Sequence, residues 1–169
     1  STNKDFKYQY PNVTSAGSWR TQASMNTGRI YFDGSDLGTA TATLVAGGEV
    51  PSLTANTETW DGSSWTEVNN LNTARSGLGG AGTSTAALMF GGTNPGFIAV
   101  TESWNGSNWT EVNDLNTSRA FLGGSGADNT SQIAVGGFSS PPSTYRAQTE
   151  TWNGSSWTEV NDLNEARRL

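Results

Sequence analysis

Residues 101–112 read TESWNGSNWTEV, and nearly the same phrase stands at 57–68 (TETWDGSSWTEV) and at 149–160 (TETWNGSSWTEV). In each copy, two tryptophans flank an Asn-Gly or Asp-Gly step. Asparagine, aspartate and glycine tolerate the positive φ angles of a tight β-turn, so the phrase predicts a β-hairpin with a tryptophan on each side of its turn. Three near-identical copies predict a repeat protein.

Other sequence features recur with the same spacing as this segment. The second tryptophan of each copy and one earlier tryptophan are separated by 46, 44 and 48 residues, and a series of arginines has the same spacing. Each repeat also contains an apolar run that ends in a glycine pair. The predicted structural positions of the repeat are Trp19, Trp60, Trp65, Trp104, Trp109, Trp152 and Trp157; Gly47, Gly48, Gly91, Gly92, Gly136 and Gly137; and Arg29, Arg75, Arg119 and Arg167.

Each repeat predicts four short strands. In the second repeat these are a glycine-rich strand at 76–82, an apolar strand at 86–90, and a hairpin of strands at 98–104 and 109–112. The run at 86–90 is apolar throughout, which predicts a strand buried on both faces. A sheet of four such strands cannot bury its own faces, so stability is expected to come from stacking of successive repeats.

The order and spacing of these landmarks resemble the kelch motif of β-propellers. The resemblance covers residues 17–169 and departs from the motif where Trp60, Trp104 and Trp152 stand in place of the usual tyrosine. It implies an all-β, kelch-type propeller with four-stranded antiparallel blades, about three of them complete in this chain. The near-identity of the copies and their Asn/Thr/Ser-rich wording also resemble kelch-like segments of structural and appendage proteins of aquatic bacteriophages.

This interpretation divides the chain into an N-terminal segment, 1–16, and a propeller segment, 17–169. The propeller segment is expected to hold a lone fourth strand at 17–23 and the start of a further blade at 167–169. Its complete blades are expected at 29–68, 75–112 and 119–160. Three blades fall short of the roughly 4 to 8 that close a ring. Either the protein continues past Leu169 or several chains close the ring together, and continuation is favoured because it uses the unpaired strand at 17–23.

The composition argues against several classes of partner and site. The 169 residues carry a net charge of -6 and include no cysteine and no histidine. Thiolate and imidazole ligands are therefore missing, as are Ser-His and Cys-His pairs, which excludes the copper-radical oxidases of the kelch group. The only basic run is Arg167-Arg168, so neither nucleic acid nor an anionic membrane surface is an expected partner. No apolar stretch approaches the roughly 20 residues of a membrane helix, so no membrane insertion is expected.

Carboxylate chemistry is not favoured either. The acidic residues recur with the repeat, whereas a catalytic pair should break the symmetry at one place. The sequence predicts no catalytic residue, no cofactor and no metal site. The recurring arginines and the glutamates Glu58, Glu102 and Glu150 have the same spacing. The arginines could form a ligand ring at the propeller mouth. The favoured alternative is that each arginine satisfies backbone carbonyls or a neighbouring carboxylate. The tryptophans are expected to be core residues rather than sugar-stacking platforms.

The blades differ most in the loops after the glycine pairs. The loop of the third repeat, 138–148, is the longest and contains Tyr145 and Arg146, an aromatic ring beside a planar hydrogen-bond donor. Variable loops on a rigid repeat scaffold commonly carry recognition, so these two residues are the predicted binding residues. The alternative is that they only cover the edge of the blade.

The expected function is a non-enzymatic structural or adhesive module, a component of a phage virion surface or tail. Its expected partners are other virion proteins, further blades of the same propeller, or cell-surface glycans, and its expected location is the virion or an extracellular surface. One alternative is an intracellular kelch adaptor for protein interactions, located in the cytoplasm. Another is a glycan-active enzyme with an unrecognised carboxylate pair. A propeller scaffold does not decide between these functions.

Overall fold

The computed structural model describes residues 21–33 and 37–168. The N-terminal segment 1–16, Trp19 and Leu169 lie outside the described residues, as does most of the strand expected at 17–23; its described part, 21–23, is not in a strand. The described chain is all-β, and no helix occurs within it. In chain order the strands are β1 (Gly38–Thr39), β2 (Ala42–Ala46), β3 (Glu49–Val50), β4 (Ser52–Leu53), β5 (Thr57–Trp60), β6 (Trp65–Val68), β7 (Gly79–Thr83), β8 (Ala86–Phe90), β9 (Thr93–Asn94), β10 (Gly96–Phe97), β11 (Thr101–Trp104), β12 (Trp109–Val112), β13 (Gly123–Asp128), β14 (Ser131–Val135), β15 (Phe138–Ser139), β16 (Thr144–Tyr145), β17 (Thr149–Trp152) and β18 (Trp157–Val160).

Twelve of these strands form three antiparallel sheets of four. The first sheet has the order β1-β2-β5-β6, the second β7-β8-β11-β12 and the third β13-β14-β17-β18. The other six strands form a short two-stranded hairpin within each repeat, β3-β4, β9-β10 and β15-β16. Each four-stranded sheet therefore corresponds to one sequence repeat.

The predicted strand bounds are correct for two strands of the second sheet and wrong for the other two. The predictions for 86–90 and 109–112 coincide with β8 and β12. The strand predicted from residue 76 begins only at Gly79, because Ser76 pairs with Thr93 of the short hairpin instead. The strand predicted from residue 98 begins only at Thr101, because the backbone of Ile98 bonds to Gly92 and Arg119 rather than to the ladder.

The tryptophan hairpin has the same register in every sheet. Trp104 lies directly opposite Trp109, their ring centroids are 5.2 Å apart, and the equivalent pairs in the other sheets are 5.5 Å apart. The indole Nε1 of Trp104 donates to the backbone oxygen of Ser84, and those of Trp60 and Trp152 donate to equivalent backbone oxygens. These bonds thus hold the first tryptophan of each pair at the end of its own sheet, beside the turn between the first two strands.

The core lies between successive sheets. One apolar cluster joins the first sheet to the second, and another joins the second to the third. The glycine-rich strands β7 and β13 also approach closely, since a Cβ at Gly124 would lie 2.6 Å from the backbone oxygen of Gly80. Glycine is needed at this contact because any larger residue would collide with backbone.

Candidate binding surface

The short hairpins after the glycine pairs lie at one end of the sheets. The first strand of each hairpin is bridged by the segment that follows a repeated arginine, as in the pairs Ile30 with Glu49, Ser76 with Thr93 and Ala120 with Phe138. The glycine pairs permit this turn away from the main sheet, since both residues of each pair have positive φ. The short hairpins and the segments that bridge them therefore form one backbone layer, and this layer holds the variable loops in place.

Two aromatic residues of this layer have an unusual backbone. Tyr31 and Phe121 have φ angles of 53° and 54°, although positive φ is uncommon outside glycine. The backbone N–H of Gly77 donates to Tyr31, and that of Phe121 donates to Gly77, which links the three repeats. The rings of Tyr31 and Phe121 meet edge to face, with centroids 5.9 Å apart. Glycine at residue 77 leaves room for this contact, because a Cβ there would lie 2.9 Å from the Phe121 ring.

A second aromatic group continues from the third hairpin. The ring centroid of Phe138 is 5.6 Å from that of Phe97 and 5.7 Å from that of Tyr145. The guanidinium carbon of Arg168 lies 5.6 to 5.8 Å from the ring centroids of Phe121, Phe138 and Tyr145 and so joins the two groups by cation–π contacts. We call this set the aromatic surface; its members are Tyr31, Phe97, Phe121, Phe138, Tyr145 and Arg168.

The aromatic surface is open to solvent at both ends. Tyr31 is 55% exposed and Tyr145 is 53% exposed. A cleft of about 370 Å³ lies beside Tyr145 and is lined further by Ala166, Arg167 and Arg168. The arrangement offers flat ring faces and a charged planar donor side by side. Such groups can stack on an apolar ligand face and donate hydrogen bonds to its polar edge.

The structure separates the two predicted binding residues. Tyr145 belongs to the aromatic surface, whereas the Nε of Arg146 donates to the Ser139 hydroxyl at 2.5 Å and the side chain is half-buried. Arg168 is the arginine whose guanidinium lies over the Tyr145 ring. The sequence analysis did not single out Arg168 or the other four aromatic members. The one available signal was that Tyr31 and Phe121 occupy the same repeat position, two residues after an arginine.

Three of the four repeated arginines lie away from this surface, whereas Arg167 is exposed and lines the cleft beside Tyr145. Arg29, Arg75 and Arg119 are buried, and an Nη of each lies 2.5 to 3.4 Å from the buried glutamate of its repeat. They also donate to backbone oxygens, as Arg119 does to those of Gly136 and Gln148. Burial lowers the pKa of Arg75 and Arg119, and the paired glutamate opposes that effect. The observed contacts are those of the structural alternative, with carbonyls and a carboxylate satisfied together.

Most tryptophans are likewise enclosed. Five of the six described tryptophans are buried, and Trp65 is half-buried at the outer face of the first sheet. Within residues 21–33 and 37–168, no group of three or more acidic, cysteine or histidine side chains is arranged to hold a metal ion. No helix in the same ranges is long and apolar enough to cross a membrane.

No protein-family model matches the chain, and no curated protein matches it.

Proposed function

We propose that this chain is a non-enzymatic structural or adhesive module of a phage virion surface or tail, which binds host glycans or other virion proteins. The observation that carries the proposal is the aromatic surface, a solvent-open set of rings and one arginine on the loop end of a rigid repeat scaffold. The virion location rests on the resemblance of the near-identical repeats to phage appendage segments.

The scaffold is proposed to be a kelch-type propeller in which the three sheets are successive blades. Three features support this proposal. Each sheet has four antiparallel strands, the tryptophan hairpin keeps one register, and apolar clusters lie between the sheets. Loops of a repeat scaffold that lie at one end of its blades are common sites of recognition.

Glycans suit the aromatic surface by their chemistry. A pyranose presents one face of C–H groups that packs on an aromatic ring, and hydroxyls around its edge that accept hydrogen bonds from an arginine. Tyr145 offers its exposed ring, and Arg168 holds its guanidinium 5.8 Å from that ring. A sugar stacked on Tyr145 would therefore have a charged donor at its edge.

Adhesion is favoured over catalysis by the state of the repeated carboxylates. Glu58, Glu102 and Glu150 are buried, and each is bonded to an arginine and to backbone N–H groups of the preceding segment. These bonds occupy the carboxylate oxygens and hold them away from solvent. They support the packing of the repeats and are not placed to reach a substrate.

The first experiment is glycan-array binding of the full chain and of variants at Tyr145. We expect Tyr145→Ala to abolish binding and Tyr145→Phe to retain it, because stacking needs the ring and not the hydroxyl. Arg168→Ala should weaken binding, whereas Arg146→Ala is the matched control that leaves the aromatic surface intact. Binding unchanged in Tyr145→Ala, or absence of glycan binding altogether, would contradict adhesion through this surface.

The virion location has a separate test. Mass spectrometry of purified particles and of cell lysate should find the chain on the particles. Detection in the lysate alone would contradict the virion location and favour the intracellular adaptor.

A further inference from the structure

Successive sheets are joined by hydrogen bonds that repeat at the same positions. The indole Nε1 of Trp109 in the second sheet donates to the Thr57 hydroxyl in the first, at 3.1 Å. The Nε1 of Trp157 in the third sheet donates to the Thr101 hydroxyl in the second, also at 3.1 Å. Each of the first two sheets therefore offers a buried threonine hydroxyl to the tryptophan of the next sheet.

The segment that leaves each sheet also docks on the next one. After the first sheet, Asn72 and Arg75 bind Glu102 of the second sheet. After the second sheet, the equivalent Asn116 and Arg119 bind Glu150 of the third. A further asparagine of each leaving segment donates to the next hairpin turn, as Asn113 does to the backbone oxygen of Ser155 at 2.7 Å.

The third sheet presents the same groups, and within the described residues no further sheet binds them. The Thr149 residue is only 5% exposed, yet its hydroxyl oxygen makes no hydrogen bond within the part of the chain that the structure describes. The leaving segment 163–167 is held by its backbone, since Leu163 and Arg167 bond to the third repeat as the equivalent residues bond to the earlier ones. The Arg167 side chain is nevertheless 61% exposed and lies 3.7 Å from the exposed carboxylate of Glu165. Leaving a buried hydroxyl oxygen without a hydrogen-bond partner costs free energy. The outer face of the third sheet is therefore suited to a partner that brings a donor to Thr149.

The outer face of the third sheet is also apolar. In the second sheet, Leu88 and Phe90 are fully buried in the cluster shared with the third sheet. The equivalent Ile133 and Val135 are half-buried, and Val160 is 42% exposed. The same positions that form a core between the second and third sheets are thus left partly open.

The first sheet has the groups that are complementary to those on the outer face of the third sheet. Trp65 is half-buried, and among the described residues its Nε1 has no hydrogen-bond partner, unlike Trp109 and Trp157. Glu58 of this sheet is occupied by residues 25–29 of its own chain, through backbone N–H groups of Asn26 and Thr27 and the guanidinium of Arg29.

We infer that the third sheet of one chain docks against the first sheet of a second copy of the same chain. In this contact, residues 163–167 replace residues 25–29 of the second copy, so that Asn164 and Arg167 take over Glu58. The Nε1 of Trp65 then donates to the Thr149 hydroxyl. Positive Arg167 meets negative Glu58, and the Trp65 donor meets the Thr149 acceptor, neither of which has a partner among the described residues.

The exchange itself costs little because like replaces like. Leu163 takes the place of Met25, Asn164 that of Asn26 and Arg167 that of Arg29, so the bonds lost within one chain are remade between two. The association adds the tryptophan–threonine bond and buries apolar surface that each chain leaves open. The interface is head-to-tail, so two copies can form two such contacts and close a ring of six sheets, within the roughly 4 to 8 blades of propellers.

The test is sedimentation equilibrium of the full chain over a wide range of protein concentration. We expect dimers whose dissociation constant rises about tenfold or more in Arg167→Ala, because a charge-assisted hydrogen bond is lost. Thr149→Val should also weaken the dimer, since it removes the acceptor for Trp65. Arg29→Ala should strengthen the dimer, because Arg29 then no longer competes with the Arg167 of the other chain for Glu58.

Two controls separate the proposed interface from other causes. Thr101→Val removes the same hydroxyl inside the chain and should lower the stability of each chain without weakening association of the folded protein. Tyr145→Ala should leave association unchanged, which also separates this inference from glycan binding. A chain that stays monomeric at every concentration, or a dimer unaffected by both Arg167→Ala and Thr149→Val, would overturn the inference. Since Arg167 is exposed, the decisive variant does not depend on the folding of Arg29→Ala.

Discussion

The second and third sheets have the same strand order and the same hairpin register, but they differ in how well their apolar residues are buried. Leu88 and Phe90 of the second sheet are inaccessible to solvent, whereas Ile133 and Val135 of the third sheet are half-buried. Among the described residues, the second sheet has a neighbour on both faces, and the third has a neighbour on one. Burial in this protein is therefore a property of the contact between sheets and not of the individual sheet.

The repeated polar groups follow the same division. Thr101 accepts a hydrogen bond from the third sheet, while Thr149, at the same position, has no donor among the described residues. Each face of a sheet supplies one side of an interface with the adjacent sheet. Repeat proteins behave in this way when their stability is the sum of the stability of each repeat and of the interfaces between neighbouring repeats. Substitutions at equivalent positions should thus have different effects according to which sheet they lie in.

The largest difference is expected between Trp109 and Trp65. Trp109→Ala removes a buried ring from the cluster between the first two sheets and leaves the Thr57 hydroxyl without its donor. We expect a loss of about 3 to 5 kcal/mol in the free energy of unfolding. Trp65→Ala should cost clearly less, because its ring is already half-exposed. Denaturant unfolding of both variants at low protein concentration measures the difference, and equal losses would contradict the division between inner and outer faces.

A similar comparison applies to the arginines. Arg119→Ala leaves Glu150 as a buried charge without its cation, which should cost about 3 to 5 kcal/mol of unfolding free energy. Arg167→Ala removes an exposed side chain and should change stability by no more than about 0.5 kcal/mol in the monomer. Denaturant unfolding at a concentration where the chain is monomeric provides the measurement. A large loss in Arg167→Ala would show that Arg167 has a partner within the chain.

Much of the scaffold is written locally in the sequence. The hairpins follow from the Asn-Gly and Asp-Gly steps between tryptophans, and the apolar run at 86–90 marks a central strand, so short-range patterns suffice for both. The strand starts at 76 and 98 were predicted too early because those residues bond to other segments of the chain, which a local pattern does not reveal.

The aromatic surface could not be predicted from the sequence repeat, for a different reason. It depends on the left-handed backbone of Tyr31 and Phe121, on the room that Gly77 leaves between them, and on Arg168, which reaches three rings from distant parts of the chain. Of its members only Tyr145 was predicted, because it lies in the longest variable loop. The partner assigned to it from the sequence, Arg146, is turned toward Ser139 by a hydrogen bond.

The hairpin turns offer the finest comparison between sheets, because the first turn has Asp61 where the others have Asn105 and Asn153. The Oδ1 of Asp61 accepts hydrogen bonds from the backbone N–H groups of Ser63 and Ser64, both at 2.8 Å. Asn105 accepts the equivalent two bonds at 3.0 and 2.9 Å. The turn geometry is therefore shared, and only the first turn carries a charge that can titrate.

The smallest expected effect is a pH dependence confined to this first turn. Backbone hydrogen bonds from Ser64 and Ser63 lower the pKa of Asp61 from 3.8 to about 2. Because the folded pKa lies below the unfolded one, the stabilisation is complete above about pH 4 and is lost as the pH falls through about 2. An NMR titration of the Asp61 carboxyl should give a pKa near the lower value, and Asp61→Asn should leave stability at neutral pH almost unchanged. Asn105→Asp should acquire a similarly lowered pKa, and a carboxyl there that titrates near 3.8 would show that the two turns are not equivalent.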